Sequence, residues 1–280
     1  MSKTINKIKV LGLKNSFYVL CESFASKLLS LPNQTFKDNS KAMNFFYAQG
    51  ISDIQFLNNS WQIVHKNSKY KLRNNSSDIP VFNQVVIQKE YLALIDFIKK
   101  YESNPKTMVD LGGNIGLTSI YVHSFFPSIQ ITIVEPFQES FDLMQTNLKN
   151  NNINAKCLNN GIWNKTTNLS ISTDFRDGKP WSLSVVEEEN GPIKSINLQE
   201  LFPADQIVDI LKIDIEGSEF KLFESPEYAA SFLSKTKFIA IEIHDDVGDR
   251  AHINAILKQN NYEFFVSGEL TIGRNTLLTK

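Results

Sequence analysis

Residues Met108–Tyr121 read MVDLGGNIGLTSIY. Apolar residues lead into Asp110, glycines follow at Gly112, Gly113 and Gly116, and a helical pattern begins near Ile115. A strand that ends in glycines and turns at once into a helix is the opening unit of an open α/β sheet. In such sheets ligands sit beyond the carboxyl ends of the strands, at the point where the strand order reverses. Glycine there permits positive φ and a close approach of backbone to ligand, and a helix starting near Asn114 points its N–H groups into the site.

The rhythm set by this stretch continues to the end of the chain. Strands are expected at TMVDLG, QITIVEP, AKCLNNGIW, NLSIST, SINLQELF, VDILKIDIEG and KFIAIEIH, and two more close the chain near YEFFVS and NTLLT. Helices are expected at 115–126, 137–151, 217–224 and 248–260. The runs ITIV, DILKID and FIAIEI are apolar nearly throughout, as suits strands covered on both faces. The alternation predicts a doubly wound, Rossmann-like α/β sheet with helices on both faces. Upstream the pattern differs. Phe17, Leu20, Phe24 and Leu28 give residues 8–30 helical periodicity, a second helix is expected over 39–49, and 53–72 reads as a small sheet or ribbon. Residues 73–80 read as a loop and 90–104 as an amphipathic helix. The domain division expected is a small α/β accessory region at 1–80, an accessory cap or dimerising arm through which a homo-oligomer could form, and the main domain at 81–280.

Composition sets limits on partners. The chain has 280 residues, 42% hydrophobic and 21% charged, with a net charge of −1. Nothing steers it globally toward nucleic acid or an anionic membrane. Cys21 and Cys157 form neither a disulfide framework nor a zinc ligand set, which fits a reducing, cytoplasmic home. No signal peptide and no long apolar run is visible, so no integral membrane segment is expected; peripheral contact through the N-terminal helix stays open.

Spacing narrows the ligand. A dinucleotide site needs Gly-x-Gly-x-x-Gly with a pyrophosphate at the helix start. Here the order is Asp110, Gly112, Asn114, Gly116, and a carboxylate so close to the helix start suits a cation. S-adenosylmethionine carries an α-ammonium and a sulfonium and no phosphate. Asp110 is expected to hold the ammonium, directly or through water, and Asn114 to serve the same end. Glu135 ends the next strand, followed by Pro136, where an acidic residue accepts from ribose hydroxyls. The third strand ends in LNNGIWN and offers no acid for the adenine amino group, so backbone around Gly161 and Ile162, or Asn160, is expected to read the base. Trp163 either packs on it or belongs to the core.

A second acidic cluster closes the next strands. Asp214, Glu216 and Glu219 follow DILKI, and Glu242, His244, Asp245 and Asp246 follow FIAI. Buried carboxylates are costly unless paired or bound to a cation. Asp214, Glu216, Glu242 and His244 are therefore expected around the reacting centre. An alcohol attacked at neutral pH needs a base or a metal. His244 is the candidate base; Asp214 and Glu216 could hold substrate hydroxyls instead. A third arrangement is a hard divalent ion, Mg or Mn, on Asp214, Glu242 and His244. Glu219 is expected to face solvent, and Asp245 and Asp246 to cap the following helix.

Taken in order, VDLGGNIG, VEP, ILKIDIEGSE and IEIH resemble the FkbM-family S-adenosylmethionine-dependent methyltransferases, and VFNQVVIQKEY at 81–91 is similar to the segment before their first motif. The resemblance covers roughly Val81 to the C-terminus. It implies a class I methyltransferase sheet and O-methylation of a sugar, glycan or secondary metabolite. It also implies cofactor contacts from Asp110, Gly112, Asn114, Gly116 and Glu135, an acceptor site lined by Asp214 and Glu216, and Tyr91 near the cofactor, where helix packing is the other reading. The insert 173–192 and the N-terminal region are expected to set acceptor specificity; Trp181 could stack on a sugar face or anchor the loop, and Arg176 and Lys179 are expected to be solvated. An NAD-type oxidoreductase and a non-catalytic cofactor-binding protein are the alternatives.

Overall fold

The computed structural model describes residues 34–102, 104–172, 184–202 and 206–279. The expected helix at 8–30, Cys21, Arg176, Lys179 and Trp181 lie outside them. The chain forms two compact units, Met1–Ile87 and Gln88–Lys280.

In the first unit, helix α1 (Gln34–Ala48) precedes strands β1 (Ile54–Leu57), β2 (Ser60–His65) and β3 (Ser68–Arg73), an antiparallel meander. Both hairpins turn on two residues with positive φ, Asn58-Asn59 and Lys66-Asn67. That geometry matches the twist of the flanking strands, and asparagine tolerates it. Phe46, Trp61, Tyr70 and Phe82 form the core, with ring centroids 5.6 Å apart for Phe46–Trp61 and 5.1 Å for Tyr70–Phe82. Phe82 explains why this unit ends after Ile87 and not at residue 80. Residues expected as loop instead begin helix α2 (Asp78–Phe82), which continues into a π-helical turn, Asn83–Ile87.

The second unit holds α3 (Leu92–Tyr101), β4 (Thr107–Leu111), α4 (Leu117–Phe125), β5 (Gln130–Val134), α5 (Gln138–Asn150) and β6 (Lys156–Leu158). After a small sheet come β11 (Val208–Ile213), α6 (Glu219–Leu222), α7 (Pro226–Leu233), β12 (Thr236–Glu242), α8 (Arg250–Gln259), β13 (Tyr262–Ser267) and β14 (Leu270–Asn275). The seven-stranded sheet has the spatial order β13-β14-β12-β11-β4-β5-β6. Only β14 runs antiparallel to its neighbours β12 and β13. The chain thus starts in the middle at β4, grows outward through β5 and β6, and returns to the other side of β4 with β11. The β4–β11 seam is the switch point at which an open α/β sheet binds its ligand. Every residue of β11 is buried, as is most of β12, which is why both read as unbroken apolar runs.

Three expectations are corrected. AKCLNNGIW is two strands. After β6 pairs with β5, the chain breaks at Asn159-Asn160, and β7 (Gly161–Trp163) pairs with β10 (Ile193–Asn197) in a separate sheet. That sheet, in the order β7-β10-β8-β9, includes β8 (Asn168–Ser172) and β9 (Ser184–Glu187), an architecture not anticipated from the sequence. The helix expected at 217–224 is one short turn, α6, followed by α7, which starts afresh because Ser225 accepts from the Tyr228 amide and Pro226 fits the first turn. Among the described residues no helix is long and apolar enough to cross a membrane.

Candidate active site

A cleft open to solvent lies at the carboxyl ends of β4, β5 and β11 and is walled on one side by β7 and β9. The turn after β4 forms the floor. Gly112 has φ +76, and a Cβ there would run into the backbone carbonyl of Asp214. The glycine lets the ends of β4 and β11 close on each other, sealed by the Asp214 amide donating to the Leu111 carbonyl at 3.2 Å. Asn114 also adopts positive φ, 48°. Its amide donates to Glu135 Oε2 at 2.7 Å, and the Phe137 amide donates to Glu135 Oε1 at 2.9 Å. Glu135 therefore bridges the turn after β4 and the turn after β5. It is buried at the cleft wall, and burial pushes its carboxyl up to about 7, against the two amide donors.

Gly112, Asn114, Glu135, Pro136, Gly161 and Ile162 all line the cleft. Four other expected contacts lie elsewhere. Gly113 packs on Ile133 and Met144, and Gly116, at φ +85, on Met144; these two glycines bring the turn against α5. Asp110 is fully buried beneath the turn. Its Oδ2 accepts from Ser119 Oγ at 2.6 Å and its Oδ1 lies 3.3 Å from Lys212 Nζ. A carboxylate so enclosed is not part of the cleft lining, so of the two expected arrangements, direct or through water, its placement favours the indirect one. Tyr91 is also buried, within electrostatic reach of Lys212, Asp214 and Asp110, and burial raises its phenol well above the usual range. Trp163 belongs to a small core with Leu169 and Val185.

Lys212 is the residue that the sequence reading missed. It sits in the middle of the seam, 2% exposed, in register with Asp110 on β4. Its ammonium donates to the carbonyls of Leu111 at 3.1 Å and Gly112 at 2.6 Å and lies 3.4 Å from Asp214 Oδ2. Burial opposes its charge, but Asp214 and Asp110 outweigh that and hold it protonated well above the usual lysine range. The signal was available: a lone lysine inside DILKID must find partners if the strand is buried. Asn159 was also missed. Its side chain donates to the carbonyls of Glu135 at 2.9 Å and Pro136 at 3.2 Å and fixes the wall they form.

Asp214 and Glu216 line the same cleft, and beyond them stand Glu242 and His244. Glu219 is fully buried, contrary to its expected solvent-facing place. Its Oε1 lies 2.8 Å from His244 Nδ1 and accepts from the His244 amide at 2.9 Å, while Oε2 accepts from the Gly217 amide at 2.9 Å. His244 Nε2 lies 3.6 Å from both Glu216 Oε2 and Glu242 Oε1. Burial works against the imidazolium, but the Glu219 bond and the surrounding carboxylates raise His244 to about 9. Glu242 is raised to about 9 by burial and by Asp214, with His244 pulling the other way. At neutral pH the cluster therefore retains protons that solvated groups would release. His244 is thus not the free base its ordinary pKa suggested. The helix cap expected of Asp245 and Asp246 comes from Asp249, which accepts from the Ala251 amide, while Asp245 pairs with Arg250 at 2.8 Å.

Residues 110–264 match the methyltransferase FkbM domain, a span that includes the whole of this site from Asp110 to His244. The chain belongs to the FkbM methyltransferase family. Two relatives bear names that agree. Methyltransferase sdnD of Sordaria araneosa is 27% identical over 202 residues, covering 59% of this chain and 76% of that protein. Methyltransferase 1 of Beauveria bassiana (strain ARSEF 2860) is 23% identical over 184 residues, covering 55% and 71%. Among solved structures, a SAM-dependent methyltransferase from Agrobacterium tumefaciens aligns at TM-score 0.45 with 9% identity, over 72% of this chain and 58% of that one. The FkbM domain begins at the aspartate near the end of β4, so Tyr91 and the first unit lie outside the matched span.

Proposed function

We propose that this FkbM domain transfers a methyl group from S-adenosylmethionine to a hydroxyl of a sugar, glycan or secondary metabolite. The observation that carries the reading is one cleft with Glu135 on one wall and Asp214 and Glu216 on another. The residues present fit the cofactor. Glu135 offers its carboxylate to ribose hydroxyls. Asn160, the backbone of Gly161 and Ile162, and the apolar faces of Phe137 and Val185 suit an adenine. The turn at Gly112 and Asn114 faces the amino-acid end. Among the described residues the lining holds three carboxylates and no lysine, arginine or histidine. It therefore supports a ligand that carries positive charge and offers a pyrophosphate no cation, which argues against an NAD-type enzyme.

When bound, S-adenosylmethionine supplies an electrophilic methyl on its sulfonium. The chain's own part is to hold the acceptor oxygen in line with that methyl and to take its proton. Asp214 and Glu216 are placed to accept from acceptor hydroxyls. His244 serves as base only once its own proton has gone; otherwise the cluster serves by holding a divalent ion.

The test is calorimetry followed by turnover. S-adenosylhomocysteine should bind at one site per chain and NAD should not. Incubation of S-adenosylmethionine with panels of hydroxylated sugars and metabolites should give methylated product by mass spectrometry. Tight NAD binding would overturn the cofactor; cofactor binding without methylation of any hydroxylated acceptor would favour a non-catalytic binding protein.

A further inference from the structure

We infer that Asp214, Glu242 and His244 form a binding site for one divalent cation of the manganese type. One ligand atom from each of the three lies within 4.8 Å of those of the other two. Asp214 follows β11, Glu242 ends β12, and His244 comes two residues later, so rigid neighbouring strands set the spacing.

Acidic clusters are common without an ion; the histidine makes this one different. Its side chain is 2% exposed and its Nδ1 is held by Glu219. An ionised carboxylate only accepts, so Nδ1 carries a hydrogen, and Nε2 is the ring atom whose lone pair becomes available to a metal ion once its own proton has gone. Nε2 is buried and has no hydrogen-bond partner; it points between Glu216 and Glu242, each 3.6 Å away. A buried ring nitrogen left unsatisfied is costly and calls for a missing partner. In the ion-free chain a proton held between Nε2 and the Glu216 and Glu242 carboxylates serves that nitrogen; a divalent ion bound there replaces the proton. Carboxylate–histidine pairing of this kind fixes the tautomer and orientation of metal-ligating histidines.

Lys212 does not fill the role. Its charge is shared between Asp214 and the fully buried Asp110, and the partner of Glu242 across the cluster is the His244 ring, 3.6 Å away. Two carboxylates and one imidazole suit a first-row divalent ion that accepts mixed oxygen and nitrogen ligands. Three protein ligands also leave coordination positions open. Asp214 belongs to the cleft wall as well as to this set, so an acceptor hydroxyl can share the ion. That last role rests on the methyl-transfer reading; the binding of the ion does not.

The test titrates Mn²⁺ into chelator-treated full-length protein, with the free-ion electron paramagnetic resonance signal as readout. S-adenosylhomocysteine affinity is measured in the same samples. One saturable Mn²⁺ site per chain is expected. Glu242→Gln and His244→Gln should each weaken it at least tenfold, with S-adenosylhomocysteine affinity within about threefold of the parent, which shows that the variants remain folded. No saturable binding by the parent protein, or Mn²⁺ affinity unchanged in both variants, would overturn the site. If Mn²⁺ binds and S-adenosylhomocysteine does not, the cofactor reading fails and the ion site stands. If S-adenosylhomocysteine binds and Mn²⁺ does not, the ion site fails and the cofactor reading stands.

Discussion

Lys212 and Glu135 show how two buried ionisable groups can be driven in opposite directions, the lysine held charged and the glutamate drawn toward its neutral form. Lys212 holds together four groups at the β4–β11 seam, two carbonyls and two carboxylates. Removing it leaves Asp110 buried without its countercharge, a loss that typically costs about 3–5 kcal/mol. Lys212→Met should therefore lower stability by that order in urea unfolding. Adding Asp110→Asn to it should recover part of the loss, because the stranded charge is gone. A cost below about 1 kcal/mol for Lys212→Met would show that the seam does not depend on the pair. Glu135 titrates in the folded chain at about 7, above its ordinary 4.5. The folded state thus favours the protonated form, and the contribution of Glu135 to stability is full below about 4.5, falls as pH rises, and is lost above about 7. Comparing parent and Glu135→Gln by thermal unfolding across this window should give a stability difference that shifts against the parent by up to about 1.4 kcal/mol per pH unit and is level above pH 7. A difference flat from pH 4 to 8 would place the Glu135 pKa at its ordinary value. Burial, not residue type, sets both behaviours, and burial is what a single sequence conveys least. Glu135 was legible as a strand-end acid because its spacing from the glycines is local. Lys212 and Glu219 were not, because their partners lie on other strands.

At the scale of elements, the turn after β4 is the joint on which the cleft depends. Its glycines divide the work: Gly112 allows β11 to close in, while Gly113 and Gly116 seat α5. Gly112→Ala combines a left-handed backbone with a collision against a backbone carbonyl, and neither can be relieved by a side-chain rotation. It should cost about 2–4 kcal/mol and open the seam, so that S-adenosylhomocysteine binding is lost even where the protein stays folded. Circular dichroism on the same sample separates the two effects; unchanged ligand affinity would show that the seam tolerates a wider gap. The regular elements were readable because their signals are periodic and contiguous: β11 and β12 as apolar runs, α3 as an amphipathic stretch. The breaks were not. Asn159 ends β6 by turning its amide onto the Glu135 and Pro136 carbonyls, and Asn160 bonds to the Lys194 carbonyl. Those partners sit 23 to 34 residues away, so AKCLNNGIW alone looked like one strand and the second sheet stayed hidden.

At the scale of the molecule, the division at Ile87/Gln88 separates two cores with different characters. The first is aromatic, built on Phe46, Trp61, Tyr70 and Phe82; the second is aliphatic, built around β11 and β12. All residues lining the cleft, the seam lysine and the candidate ion ligands belong to the second. The matched FkbM domain also falls wholly within it. A protein of residues 88–280 should accordingly fold cooperatively and bind S-adenosylhomocysteine within about fivefold of the full chain, since 193 residues are ample for an independent core. Methylation of whichever acceptor the full chain accepts is the more demanding readout. If it survives in the fragment, acceptor recognition lies within residues 88–280. If it is lost while cofactor affinity is kept, the first unit supplies it. Loss of cofactor binding in a fragment that still unfolds cooperatively would show that the cleft needs residues before Gln88.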